Sequence, residues 1–182
     1  MLNRLNLSVT CFIWSALILQ GCTGLPEGVQ PVKSFDVQKY QGVWYEIARL
    51  DHRFERGMGN VTATYEVQAD GSVSVLNRGY VSELGQWKQA QGVAKFVSAS
   101  TVGHLKVSFF GPFYGSYVVF KLDKEQYQYA YVTSYNKDYL WLLSRTPQVS
   151  EAVLADFHHT VKSLGYSVDE LIYMDHSPPK KL

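Results

Sequence analysis

Eight stretches of this chain alternate apolar and polar side chains with a period of two, and short turns separate them. That period belongs to a strand with one face buried and one face wet. The stretches are 42–51, 61–67, 72–82, 86–97, 105–109, 118–122, 127–133 and 139–145, with turn signals such as Asp70-Gly71 and Gly85 between them. So many consecutive strands leave two raw sheet edges, which natural proteins must dispose of. Curling the sheet until its edges meet removes both. The fold class expected is therefore mainly β: an eight-stranded up-and-down antiparallel β-barrel, whose interior holds side chains or one small ligand. An eight-strand sandwich is the competing arrangement from pattern alone. After the eighth stretch the period changes. Val153, Leu154, Phe157, Val161 and Leu164 recur at helical spacing, with Ser150 as N-cap and Gly165 as stop, which predicts one C-terminal helix packed outside. A short ninth strand is expected at 171–174, and 177–182 reads as a tail.

With 182 residues the chain makes one domain with a real core. Its aromatic share of 14% is incompatible with disorder. Without the first 21 residues, 16 basic and 16 acidic side chains remain, and no basic block stands out beyond Lys180-Lys181. Nucleic-acid binding needs a concentrated positive face and is not expected.

The opening residues set the compartment. Arg4 and the free amine precede a largely apolar run, 9–19, that is too short to span a bilayer. It fits the core of a secretory signal. The run ends in Leu19-Gln20-Gly21-Cys22, which resembles a bacterial lipobox. In proteins that carry one, the chain is cut before the cysteine, whose sulfur receives a diacylglycerol and whose new amine is acylated. The expected organisation is a signal peptide over 1–21, a lipidated tether over 22–34 starting at Cys22, a barrel plus helix over 35–176, and the tail. In such lipoproteins Asp after the cysteine usually accompanies inner-membrane retention; Thr23 stands there, so the resemblance implies the outer membrane, with the domain facing the periplasm. Cys11 leaves with the signal and Cys22 is consumed by lipid, so the mature chain has no thiol for catalysis, metal binding or a disulfide. Gly24, Pro26, Gly28 and Pro31 give the tether its loop character. At about 3.3 Å per extended residue, its twelve residues could hold the domain up to ~40 Å from the bilayer.

Several segments resemble the lipocalin family. Gly42-Val43-Trp44-Tyr45 is similar to the first lipocalin signature and opens the first strand after a short helical turn at 36–41. Leu142-Leu143-Ser144-Arg145-Thr146-Pro147 is similar to the third. The stretches Asp51-His52-Arg53-Phe54-Glu55-Arg56-Gly57 and Phe109-Phe110-Gly111-Pro112-Phe113-Tyr114-Gly115 resemble bacterial outer-membrane members of the family. The middle signature, usually Thr-Asp-Tyr, is Thr133-Ser134-Tyr135 here. The resemblance implies a carrier of small hydrophobic or amphiphilic ligands, such as fatty acids or lysophospholipids, stored or moved between membranes.

In a closed barrel the first and last strands run antiparallel side by side, so Trp44 and Arg145 should meet at one end. An Arg over an indole contributes about 0.5–2 kcal/mol. Gly42, Trp44 and Arg145 are therefore read as structural barrel closure. The loops after odd-numbered strands then lie at the other, open end. That puts Phe54, Met58, Phe110, Phe113 and Tyr114 at a mouth, where they could admit a ligand, fold down as a plug or make a homodimer contact. Arg53 or Arg56 could meet a phosphate or carboxylate there. Tyr65, Tyr80, Phe96, Phe109, Phe120 and Tyr131 are the candidate cavity wall, subject to a one-residue slip that would turn any of them outward. An aromatic wall with few polar groups suits an acyl chain.

No cofactor or metal is expected. The five histidines form no chelating pair, and no nucleophile or phosphate-loop motif is present. The chain is read as a binding protein and not an enzyme. The alternatives are an envelope lipoprotein with a filled barrel, from which no lipid would co-purify, and a lipid-modifying enzyme, which would release product from a lysolipid panel.

Overall fold

A computed structural model of the chain describes residues 23–179. The expectations for the signal segment, Cys11, Cys22 and the last residues of the tail lie outside them. Asp36 caps a one-turn helix, α1 (Val37–Tyr40), its carboxylate accepting from Gln38 N at 2.9 Å. Gly42 follows with a φ of 92°, a backbone region that glycine enters without strain. It turns the chain from α1 into β1 (Gly42–Arg49). The meander continues through β2 (Met58–Val67), β3 (Val73–Val81), β4 (Gln86–Phe96), β5 (His104–Ser108), β6 (Gly115–Leu122), β7 (Tyr129–Thr133) and β8 (Leu140–Ser144). Each strand pairs antiparallel with the next.

The sheet closes because β1 pairs with both neighbours. Its first half meets β2, Gly42 opposite Tyr65, and β8 runs along its other side, Tyr45 opposite Ser144. The far half of β1 also meets β9 (Ile172–Tyr173). This is the barrel, and the sandwich alternative falls. The helix α2 (Glu151–Ser163) has Ser150 as its N-cap and packs outside. The expected strand at 127–133 starts two residues late, because Tyr127 adopts a φ of 56° and gives its hydroxyl to Asp36 N as acceptor.

Two separate cores result. One fills the closed end inside the barrel, around Phe35, Tyr40, Trp44, Val119 and Leu122. The other lies between the outer wall and α2, around Ile47, Val118, Tyr131, Leu142, Phe157 and Val161. The segment read as a free tether is partly strapped to the barrel. Val29 is buried in the outer core, Val32 exchanges backbone hydrogen bonds with Val119 and Gly103, and Lys33 bridges to Val102. Twelve free residues are thus an overestimate of the leash, because apolar residues within it found a wall to pack on.

Candidate functional site

The closed end is built from the Gly-x-Trp segment. The Trp44 indole donates to Tyr40 O at 2.8 Å, and the Arg145 guanidinium lies over its ring at 4.0 Å. Arg145 also donates to Lys39 O, Val43 O and Tyr127 O. Gly42, Trp44 and Arg145 therefore come together on the outer side of the floor, and none of them borders the cavity.

Above this plug is a cavity of about 700 Å³. Its lower wall is apolar: Val61, Ala63, Val73, Val75, Ala94, Leu105, Val107 and Leu143. Gly92 has a specific part. A Cβ there would stand 2.8 Å from the Phe109 ring and 2.7 Å from Ser108 O, so the bare backbone is what lets Phe109 lie across the wall. The floor is polar: Tyr40, Tyr117 and Tyr65 all border the cavity and their hydroxyls are hydrogen-bonded to one another. At the mouth, Phe54, Phe110 and Phe113 are 55%, 73% and 72% exposed, which excludes the plug reading for these rings.

One side of the upper wall is charged. In a regular strand, residues three apart point to opposite faces. A register shift between Glu46 and Ala48 breaks the alternation, so Glu46 and Arg49 meet instead, Oε1 to Nη1 at 2.6 Å. Arg49 donates as well to Glu55 O and Met58 O in the loop above. The Trp141 indole donates to Glu55 Oε2 at 3.2 Å, and His52 Nε2 stands 3.0 Å from the same oxygen, off the line of a hydrogen bond. Burial, reinforced by the neighbouring Glu55 carboxylate, pushes the Glu46 carboxyl well above the ordinary range against the pull of Arg49. Burial also opposes ionisation of Glu55, but His52, the Trp141 N–H and Arg49 outweigh it and hold that carboxyl low. The two carboxyls are thus pushed in opposite directions, Glu46 up and Glu55 down.

Of the residues singled out from the sequence, Phe54, Tyr65, Phe109, Phe110, Phe113 and Tyr114 border the cavity. Phe96 points inward but packs beneath it, against Phe35. Four expectations are corrected. Arg56 is solvent-exposed and paired with Asp51 at 2.8 Å, and Arg53 is the guanidinium on the cavity's edge. Tyr80 faces outward beside Trp87, because Val73, Val75, Asn77 and Gly79 take the inner face of β3. Phe120 and Tyr131 belong to the outer core, where Tyr131 donates to Asp156 Oδ2 of α2 at 2.6 Å. Their strands have the opposite parity: Tyr117 and Val119 of β6, and Ala130 and Val132 of β7, take the inside. Sequence reasoning missed Tyr40, Tyr117 and the whole Glu46–Arg49–His52–Glu55 group. Two charges inside the otherwise apolar stretch 43–50 were the available signal for that group.

The matching family model is the lipocalin-like domain, over residues 35–176. The outer membrane lipoprotein Blc of Vibrio cholerae is 57% identical over 162 residues, covering 89% of this chain and 95% of that protein. Its Escherichia coli K12 counterpart is 49% identical over 149 residues, covering 82% and 84%. Insecticyanin from the tobacco hornworm shares the fold with a TM-score of 0.69 at 22% identity, over 85% of this chain and 87% of that one. A barrel closed by β1, a Gly-x-Trp floor sealed by an arginine, and an apolar hollow open at the far end agree with those matches: the chain belongs to the lipocalin family.

Proposed function

We propose that this chain is a lipid-anchored lipocalin of the bacterial outer membrane, facing the periplasm, which binds single-chain amphiphiles such as fatty acids and lysophospholipids and stores or carries them. The observation that carries the reading is the hollow itself: about 700 Å³, apolar below and open at one rim of exposed phenylalanines. A cavity of this size takes one such molecule. Burying sixteen methylenes is worth at most ~13 kcal/mol, much of it offset by association and ordering. Micromolar or tighter binding follows. The relatives that are outer membrane lipoproteins support the location, and Cys22 is the proposed point of acylation. Several acyl chains on one residue give an essentially permanent anchor. The protein binds its ligand without transforming it.

The test is a titration of delipidated protein with lysophospholipid, followed by tryptophan fluorescence. Trp141 borders the cavity, whereas Trp44 lies beneath its floor and Trp87 on the outer wall. Quenching is expected in the wild type and should vanish in Trp141→Phe, while binding seen by native mass spectrometry persists. No binding at any acyl length would end this reading.

A further inference from the structure

The cavity floor carries a hydrogen-bond donor that the protein does not match. Tyr40 from α1, Tyr117 from β6 and Tyr65 from β2 set three phenol oxygens in a row, with Tyr117 in the middle, 2.8 Å from each neighbour. Each phenol brings one proton. Two bonds use two protons whichever way they run, so one is left over. It sits on Tyr117 if both outer rings donate inward, and on an end ring if the bonds run head to tail. No other hydrogen bond joins these oxygens to the described residues. Tyr40 and Tyr65 are 3% and 7% exposed, and all three rings line the hollow. An O–H buried without an acceptor is costly. Water can serve an unfilled barrel, and a ligand oxygen can take its place.

We propose that Tyr40, Tyr65 and Tyr117 form a subsite for an uncharged oxygen acceptor, a hydroxyl or carbonyl, carried at the buried end of the bound amphiphile. The inference rests on the cavity being a lipid site and adds which chains it selects. The acceptor is uncharged because, among the described residues, no free cation borders the floor. Arg145 lies behind Trp44, and each of its three nitrogens donates to a carbonyl, of Tyr127, Val43 or Lys39. An ionised carboxylate there would be buried without a counter-charge. Burial also holds all three phenols well above their usual range, so they stay donors across physiological pH. The charged head belongs at the other end, where Arg53 borders the rim. The site is deep: Tyr65 lies opposite Gly42, and the length of β1 from there to Arg49 is about 23 Å along the strand. At a barrel tilt of roughly 40° that is ~18 Å along the axis.

The experiment compares dodecanoate with 12-hydroxydodecanoate by calorimetry on the wild type and on a variant with Tyr40→Phe, Tyr65→Phe and Tyr117→Phe together. No single substitution removes the donor: without an end hydroxyl the two linked ones leave one proton over, and without Tyr117 the two unlinked ones leave two. Replacing all partners by rings of the same shape is close to neutral for folding. In the wild type the hydroxylated acid should bind within about threefold of the plain one, or more tightly, because its hydroxyl finds a partner. In the triple variant it should fall roughly tenfold or more behind, as for a hydroxyl buried in an apolar pocket. The wild-type comparison stands even if the variant does not fold: a hydroxylated acid tenfold weaker there overturns the subsite while the plain acid's binding upholds the lipid site. Equal behaviour of both acids in wild type and variant also overturns it. Binding of neither acid overturns both readings.

Discussion

Glu46 shows how one inserted residue reassigns a side chain. Without the register shift in β1, Arg49 would point away from it and Glu46 would face the cavity alone. With it, the pair is joined under the Glu55 loop, and the raised pKa of the Glu46 proton becomes a stability statement. The folded state holds this proton more tightly than the unfolded chain does. As pH climbs past about 4.5, the unfolded chain gives its proton up first. Folding therefore loses stability as pH rises through the folded pKa, and the contribution is complete below that range. Glu55 has the opposite sign: its lowered pKa contributes stability that is lost as pH falls. Glu46→Gln removes only the first effect. The Tm of this variant should gain on the wild type as pH is raised from about 4.5 to about 8. A constant difference over that range would mean that Glu46 ionises as freely in the barrel as in the unfolded chain.

At the level of elements, the sequence made the strands visible and left their faces ambiguous. Alternation locates β3 or β7 because a two-residue period survives any error of parity. It cannot say which face meets the hollow when the outer face is also buried. Tyr131 and Phe120 illustrate this: both alternate as wall residues should, yet α2 covers the outside of β6 and β7 and gives large rings a second dry place. A further register shift in β6, between Val119 and Lys121, sends Phe120 and Lys121 to the same side, where Lys121 reaches Asp156 at 2.7 Å. The floor was legible through Gly42, Trp44 and Arg145, because antiparallel closure alone brings the first strand's start to the last strand's end. Tyr40 and Tyr117 were not, since their role depends on three elements converging. The two cores also separate stability from binding. Phe157 is fully buried in the outer core, where its ring meets that of Tyr131, and it does not border the cavity. Phe157→Ala should cost about 3–5 kcal/mol in urea unfolding and leave lysophospholipid affinity unchanged under native conditions. A matching loss of affinity would mean that α2 shapes the hollow.

For the whole molecule, the proposed anchor is Cys22, which precedes the described part of the chain. Cys22→Ser should move the protein from the membrane to the soluble fraction, or leave it uncleaved, in envelope fractionation. Unaltered outer-membrane attachment would remove the anchor from the account. The anchor's mechanical consequence comes from the strap. The backbone of Thr23 already hydrogen-bonds the His104 ring on the outer wall, and Val29 is locked against the helix-side core. With the proposed anchor at Cys22, the barrel would be moored at its flank by a short line. Such a mooring would hold the barrel close to the leaflet that carries the anchor rather than tens of ångströms into the periplasm. A tail leaving that leaflet would have little water to cross before reaching the hollow, and delivery to a distant surface would require the other membrane to come to the protein.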